Sequence, residues 1–144
     1  MQKNQLRPNK GPKPLGPYST AIEINQMLYI SAQLPLNDEG DVVGDDIASQ
    51  TRKVIDNIEA ILNFRNLELD HVVSTTIYLQ DLDDFNKVNQ MIAIYFSHPY
   101  PVRTCMEVSR LPKNALVQIE CVAYTEGDFV YEDDDEECDG CACE

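Results

Sequence analysis

The sequence has no tryptophan, only two histidines and no long apolar run, and each of these absences removes a class of protein. No segment has the roughly 18 apolar residues of a membrane-spanning helix, and the polar start of the chain lacks a secretory signal. His71 and His98 have neither metal-ligand spacing nor a neighbouring nucleophile, and there is no phosphate loop or dinucleotide fingerprint. We therefore expect a soluble cytoplasmic protein, with an organelle left open, that uses no metal and no cofactor.

Basic residues are also scarce, with 11 Lys and Arg against 25 Asp and Glu, which gives a formal charge of −14. Residues 128–144 contain nine of the acids and no base, so the rest of the chain carries 16 acids and is only mildly acidic. Such a chain is a poor electrostatic partner for nucleic acid or for an anionic membrane. We therefore expect neither of them as a partner.

The length of 144 residues fits one domain, and composition divides the chain into three parts. Residues 1–10 are predicted to be a flexible leader, residues 11–127 the folded domain, and residues 128–144 a disordered acidic tail with few apolar residues. The tail holds three of the five cysteines, one short of the four ligands of structural zinc; they are Cys138, Cys141 and Cys143. A solvated tail is the simpler interpretation, and metal binding or redox pairing is the alternative.

Apolar patterns predict an α+β domain of the form β-β-α-β-α-β-β, with both helices on one face of the sheet. The first helix has Asp45 or Asp46 as a candidate N-cap, and the second has Asp83 or Asp84. The predicted elements are a hairpin within residues 21–34 that turns near Asn25, helices over residues 47–64 and 85–96, and strands over residues 71–79, 102–109 and 115–124.

The stretch PVRTCMEVSR at residues 101–110 is predicted to be a strand with two different faces. If the following LPKN turn closes an antiparallel hairpin, Cys105 lies opposite Glu120 and Glu107 lies opposite Gln118. Alternation assigns Val102, Thr104, Met106 and Val108 to the core face and Arg103, Cys105, Glu107 and Ser109 to the other face.

Spacing leaves two interpretations of this polar face open. Arg103 can form cross-strand ion pairs with Glu107 and Glu120 on a solvated surface. Alternatively, its planar guanidinium can bind the carboxylate of a ligand through two hydrogen bonds. Asn89 is equally ambiguous, because it flanks the apolar stripe of the second helix and can face either the core boundary or a cleft.

Five segments taken together resemble the RidA family, also called YjgF/YER057c/UK114. They are GPYSTA at 16–21, YISAQLP at 29–35, DLDDFNKVNQ at 81–90, PVRTC at 101–105 and LPKNALVQIECVA at 111–123. The resemblance implies a chorismate-mutase-like α+β fold and a homotrimer with active sites in the clefts between subunits.

The activity implied by the resemblance is hydrolysis of reactive enamines and imines to 2-keto acids and ammonia. Examples of such substrates are 2-aminoacrylate, 2-iminopropanoate and 2-iminobutanoate. By motif, Arg103 would bind the substrate carboxylate, and the backbone of Cys105 would help to hold substrate or water. The cleft would be lined by Tyr18, Ser31, Ala32 and Asn89. Two rival functions are a non-catalytic homotrimer that binds 2-keto acids, and an endoribonuclease, a label that some family members carry.

The chain departs from the family pattern at the acid usually assigned to orienting the attacking water. Gln118 stands where the family commonly has the first residue of Glu-Ile-Glu. An amide can accept a hydrogen bond from water but cannot take its proton. Glu120 lies on the same strand face, about 7 Å further along, and is the remaining candidate acid. Ala32 replaces the glycine of the usual Ser-Gly-Gln, so its methyl group narrows the approach to the backbone.

Overall fold

Six strands and two α-helices make up the computed structural model, which describes residues 2–126. The predicted tail at 128–144 and its three cysteines lie outside these residues. The strands are β1 (Asn4–Leu6), β2 (Ala21–Ile24), β3 (Met27–Gln33), β4 (Val72–Leu79), β5 (Val102–Glu107) and β6 (Val117–Tyr124). The helices are α1 (Ile47–Phe64) and α2 (Phe85–Tyr95).

The strands form one mixed sheet in the order β1-β2-β3-β6-β4-β5, in which β4 and β5 are parallel and all other neighbours antiparallel. This confirms the α+β class, with one strand more than expected. The prediction that residues 1–10 are a flexible leader is wrong for β1, which pairs with β2. Pairing buries the side chain of Leu6 in the main core, and this burial offsets the cost of ordering the segment.

Helix α1 agrees with its prediction at both ends. Asp46 is the N-cap, and its carboxylate accepts a hydrogen bond of 3.3 Å from the backbone N–H of Ser49. The buried stripe of the helix packs into the main core through Val54, Ile58, Ile61 and Leu62, and Ile55 beside them is also fully buried.

Helix α2 begins differently from its prediction. Asp84 occupies the N-cap position but makes no capping hydrogen bond. Asp81 instead caps the short 3₁₀ turn before the helix, where its carboxylate accepts from the N–H of Asp83 at 2.9 Å. Neither helix is long and apolar enough to cross a membrane, and these are the α-helices found within residues 2–126.

The predicted hairpin between the last two strands is wrong. Strand β4 lies between β5 and β6 and pairs with both, so neither expected cross-strand pair forms. The connection carries a 3₁₀ turn at Pro112–Asn114 flanked by the buried side chains of Leu111 and Ala115. Leu111 and Ala115 anchor this connection across the end of β4. Ile77 and Leu79 of β4 are themselves almost fully buried, in the middle of the sheet.

The face assignment of β5 is also wrong. Ile77 of β4 lies beside Cys105 on one side and Ile119 on the other, so Arg103 and Cys105 point to the helix-covered face. The apolar set expected in the core points to the opposite face, where Val102 is 70% exposed and Met106 38% exposed. Because β5 is an edge strand, fewer of its side chains are buried than those of β4 and β6, so its apolar residues do not mark the face that meets the helices.

Candidate functional site

Arg103 is held at the edge of the sheet by the start of α2. Its Nη1 donates a hydrogen bond to Oδ1 of Asn89, and its guanidinium carbon lies 5.2 Å from the ring centroid of Phe85. Phe85 and Asn89 are four residues apart on one helix and therefore share a face. Both contacts are with uncharged groups, so the guanidinium is oriented while its charge remains uncompensated within the described part of the chain.

The ion-pair interpretation of the polar face does not hold. Glu107 accepts a hydrogen bond of 3.1 Å from the backbone N–H of Leu82. Glu120 accepts one of 2.8 Å from the hydroxyl of Tyr78. No ion pair joins Arg103 to either carboxylate among residues 2–126.

Cys105 packs partly against the main core, two residues after Arg103. Burial raises the pKa of its thiol, and the positive charge of Arg103 offsets this only in part. The sulfur is therefore protonated at neutral pH and is a weak nucleophile. This favours the predicted role of the Cys105 backbone over any role for its side chain.

A second group of predicted residues lies where β3 leaves the sheet. The Tyr18 hydroxyl accepts a hydrogen bond of 2.9 Å from the N–H of Leu15, and the Ser31 hydroxyl donates one of 2.5 Å to the carbonyl of Ser19. Tyr18 and Ala32 both line a cavity of about 20 Å³, which is room for about one water molecule. A β-bulge between Ile30 and Gln33 sets the direction of the side chains here.

Gln118 and Glu120 lie on the face of the sheet away from the helices. Gln118 is directly opposite Tyr78 in the β4–β6 pairing, and Glu120 is one same-face step away, opposite Thr76. The Tyr78 ring packs on a small apolar cluster that includes Leu34 and Leu36. Those two leucines also line the cavity next to Tyr18 and Ala32. Gln118 and Glu120 therefore lie next to the second group.

The candidate site residues, predicted and newly found, thus form two separate groups in the chain. The arginine corner consists of Phe85, Asn89, Arg103 and Cys105, and the open-face group consists of Tyr18, Ser31, Ala32, Tyr78, Gln118 and Glu120. Strands β3 and β5 are three strand spacings apart, which is about 14 Å, while a hydrogen bond reaches about 3 Å. A three-carbon acid therefore cannot contact both Arg103 on β5 and Ser31 on β3 within one chain.

Sequence reasoning missed Phe85 and Tyr78. Phe85 could have been found, because it lies one helical turn before Asn89. Tyr78 could not, because its contact with Glu120 depends on the β4–β6 pairing and not on local spacing.

Two further observations bear on other kinds of site. Within residues 2–126 no cluster of three or more His, Cys, Asp or Glu side chains is arranged to hold a metal ion. A larger open groove of about 500 Å³ lies between the N-terminal segment and α1, with Lys10, Asp56, Glu59 and Phe64 among its lining residues. It contains none of the predicted site residues, so it offers no setting for their chemistry.

Comparisons with known proteins match nearly all of the described chain. The family model described as "Endoribonuclease L-PSP" matches residues 8–125. A RutC family protein of Pyrococcus abyssi is 44% identical over 127 residues, which cover 88% of this chain and 100% of the relative. A protein of Arabidopsis thaliana named "Reactive Intermediate Deaminase A, chloroplastic" is 40% identical over 124 residues, covering 85% of this chain and 66% of that protein.

Solved structures agree with the sequence matches. A Rid family protein of unknown function from Yersinia pestis superposes with a TM-score of 0.82 at 42% identity, covering 85% of this chain and 99% of that one. The crystal structure of RidA from an Antarctic Psychrobacter gives 0.80 at 33% identity, covering 84% and 98%. The family model at residues 8–125 therefore spans strands β2 to β6, both helices and both groups of candidate residues.

Proposed function

The chain belongs to the RidA family, whose family model carries the name endoribonuclease L-PSP, and on that premise we propose that it hydrolyses reactive imino acids. The substrates are 2-aminoacrylate with its tautomer 2-iminopropanoate, and 2-iminobutanoate; the products are 2-keto acids and ammonia. The observation that carries the proposal is the Arg103 corner, where a guanidinium is fixed by an amide and an aromatic ring and has no carboxylate partner among residues 2–126.

Arg103 is suited to grip the carboxylate of such a substrate. A guanidinium has five N–H donors, and Asn89 uses one of them, so a pair remains for a two-point contact with a carboxylate. The face of the Phe85 ring contacts the guanidinium of Arg103 and leaves the N–H edge of the guanidinium exposed. Binding here fixes one end of a small acid and directs its imine carbon away from the sheet edge.

The active site in this proposal is completed by a second copy of the chain in a homotrimer. The separation of the two groups within one protomer supports this, since each group supplies what the other lacks. The face opposite the helices also presents large apolar side chains for assembly; they are Tyr29 at 49% exposure, Val102 at 70%, Met106 at 38% and Tyr124 at 39%. Arg103 of one copy would then face Tyr18, Ser31 and Ala32 of its neighbour.

Catalysis needs only modest help from the protein. Free imines already react with water, and a tenfold acceleration requires about 1.4 kcal/mol, which orientation of substrate and water can supply. The carboxylate is bound by Arg103, and water is held by Gln118 and by the hydroxyl of Tyr18. For location we propose the cytoplasm, with an organelle as the alternative because one relative is named chloroplastic.

The test uses purified full-length protein and 2-aminoacrylate generated in situ by a dehydratase. We expect faster formation of 2-keto acid with the protein than without it, and loss of that gain in Arg103→Ala. Arg52→Ala is the matched control, because Arg52 is an exposed arginine on α1 outside both groups. Equal rates with and without the protein would reject the proposed function.

Two alternatives each rest on one observation. The amide of Gln118 in place of a carboxylate favours a trimer that binds 2-keto acids without turnover; calorimetric binding of pyruvate together with no acceleration would support it. The name of the family model favours an endoribonuclease, but the charge of −14 opposes RNA binding. RNA cleavage that disappears in Arg103→Ala would support that function.

A further inference from the structure

Among residues 2–126, Tyr78 makes the side-chain hydrogen bond found to the carboxylate of the open-face group. Its hydroxyl donates to Oε1 of Glu120 at 2.8 Å, and its ring is anchored on the small cluster that contains Leu34, Leu36 and Leu111. The tyrosine is therefore fixed at both ends. It connects Leu34 and Leu36, which line the cavity beside Tyr18, to Glu120 on β6.

This hydrogen bond holds one oxygen of Glu120 and leaves the other available. A carboxylate can accept about four hydrogen bonds, and Tyr78 is the side-chain donor to Glu120 found among residues 2–126. The bond to Glu120 is the main cause that raises the pKa of Tyr78, followed by burial and by the carboxylate's charge. The phenol therefore remains a donor throughout the neutral range, and Oε2 points free of this contact.

The β4–β6 register places an amide and a carboxylate side by side with complementary abilities. Gln118 can orient a water through its carbonyl oxygen, whereas Glu120 can accept a proton from it. Their Cα atoms are about 7 Å apart along the strand. A water bonded at about 2.8 Å to each side chain bridges about 5.6 Å, and two flexible side chains close the difference.

We propose that Tyr78 is a positioning residue that holds Glu120 as the proton acceptor for the attacking water, in the place of the acid that Gln118 does not provide. The inference rests on the proposed function. As the water oxygen bonds to the carbon of the protonated imine, the C=N π pair moves to nitrogen and neutralises it, and one water proton passes to Glu120. Glu120 returns it to the nitrogen of the carbinolamine. The C–N bond then breaks, the hydroxyl proton leaves by way of Glu120 to the departing ammonia, and a 2-keto acid and ammonium remain.

The decisive variant is Tyr78→Phe, which removes the hydroxyl and keeps the packed ring. We expect the protein-dependent kcat to fall about tenfold with KM changed less than about twofold, because substrate binding depends on Arg103. A structural role alone would not confine the loss to kcat while leaving KM nearly unchanged.

Tyr100→Phe is the matched control, since Tyr100 lies between α2 and β5, is 41% exposed, belongs to neither group and likewise loses only a hydroxyl. Glu120→Gln should lower kcat about 100-fold. Installing the missing acid, as Gln118→Glu in the Tyr78→Phe background, should restore kcat.

The outcomes separate the two claims. No turnover by the wild-type protein rejects the proposed function itself. Wild-type turnover with an unchanged kcat in Tyr78→Phe overturns the role of Tyr78. If Tyr78→Phe does not fold, Glu120→Gln decides, since retention of the full kcat in that variant overturns the inference.

Discussion

Two arginines of this chain are held in opposite ways. Arg65, just after α1, donates from Nε to both carboxylate oxygens of Glu23, at 3.0 and 3.3 Å. The Glu23 side chain is only 18% exposed, so the pair is partly desolvated and ties the end of α1 to β2. Arg103 is exposed and is held by an amide and an aromatic ring instead.

Under the proposed function, one residue type serves structure at one place and binding at another. The Arg65 charge is already neutralised, so an added carboxylate would gain little there. The Arg103 charge is oriented without being neutralised, and its exposure means that no buried, unpaired charge destabilises the fold. A neutral partner can direct a guanidinium and still leave its attraction for an anion intact.

Removing the uncompensated charge should have the largest effect. We expect Arg103→Ala to lower kcat/KM about 100-fold or more, or about 2.7 kcal/mol, because two charge-assisted hydrogen bonds to the carboxylate are lost. The kcat/KM of Arg103→Lys should lie between those of Arg103→Ala and the wild type, since a point charge cannot make the planar two-point contact. Steady-state kinetics and pyruvate calorimetry measure both; a lysine variant equal to wild type would contradict the two-point contact.

Making Arg103 resemble Arg65 should have the next largest effect. Asn89→Asp supplies a carboxylate partner, which should compete with the substrate and lower kcat/KM about 30-fold, or about 2 kcal/mol. Asn89→Ala removes only the orienting bond and should cost about fivefold. If the kcat/KM of Asn89→Asp is not lower than that of Asn89→Ala in the same assay, the uncompensated charge of Arg103 is not what binds the substrate.

Loosening the aromatic contact should have a smaller effect. Phe85→Leu keeps an apolar side chain at the start of α2 but removes the ring face under the guanidinium. A cation–π contact at an exposed site is worth about 0.5–1 kcal/mol, so KM should rise about threefold with kcat nearly unchanged. Phe85→Tyr, which keeps the ring, is the control and should stay near the wild-type KM.

Breaking the structural pair should leave activity unchanged. Glu23→Gln removes the charge partner of Arg65 and should lower the free energy of unfolding by about 0.5–1 kcal/mol, since the arginine is 42% exposed and water screens the pair. Urea unfolding measures this. A fall in kcat/KM beyond about twofold would show that the two arginines are not functionally distinct.

Local patterns predicted the local parts of the fold. The bounds of α1 followed from its apolar spacing and the Asp46 cap. The hairpin turn near Asn25 followed from the two short alternating runs on either side of it, and Asn25 and Gln26 adopt positive φ there. Both depend only on neighbours in sequence.

Pairings between distant segments were not predictable in this way. Alternation gives the two faces of β5 but not which face meets the helices, so Val102 and Arg103 were assigned to the wrong sides. Nothing local indicates that β4 separates β5 from β6 or that three leader residues extend the sheet. The roles of Arg103 and Tyr18 came from the family resemblance, and no spacing in the chain supplied them.

Strand β4 carries none of the site residues predicted from the sequence. Its pairing nevertheless sets how far along the strand direction the site residues of β5 and β6 lie relative to one another. It pairs Thr75 with Arg103 on one side and Tyr78 with Gln118 on the other. A slip of two residues against β5 alone would keep every side chain on its face but shift Arg103 by about 7 Å relative to β6. Substitutions that loosen the packing of Ile77 could therefore change substrate recognition without touching any residue that binds substrate.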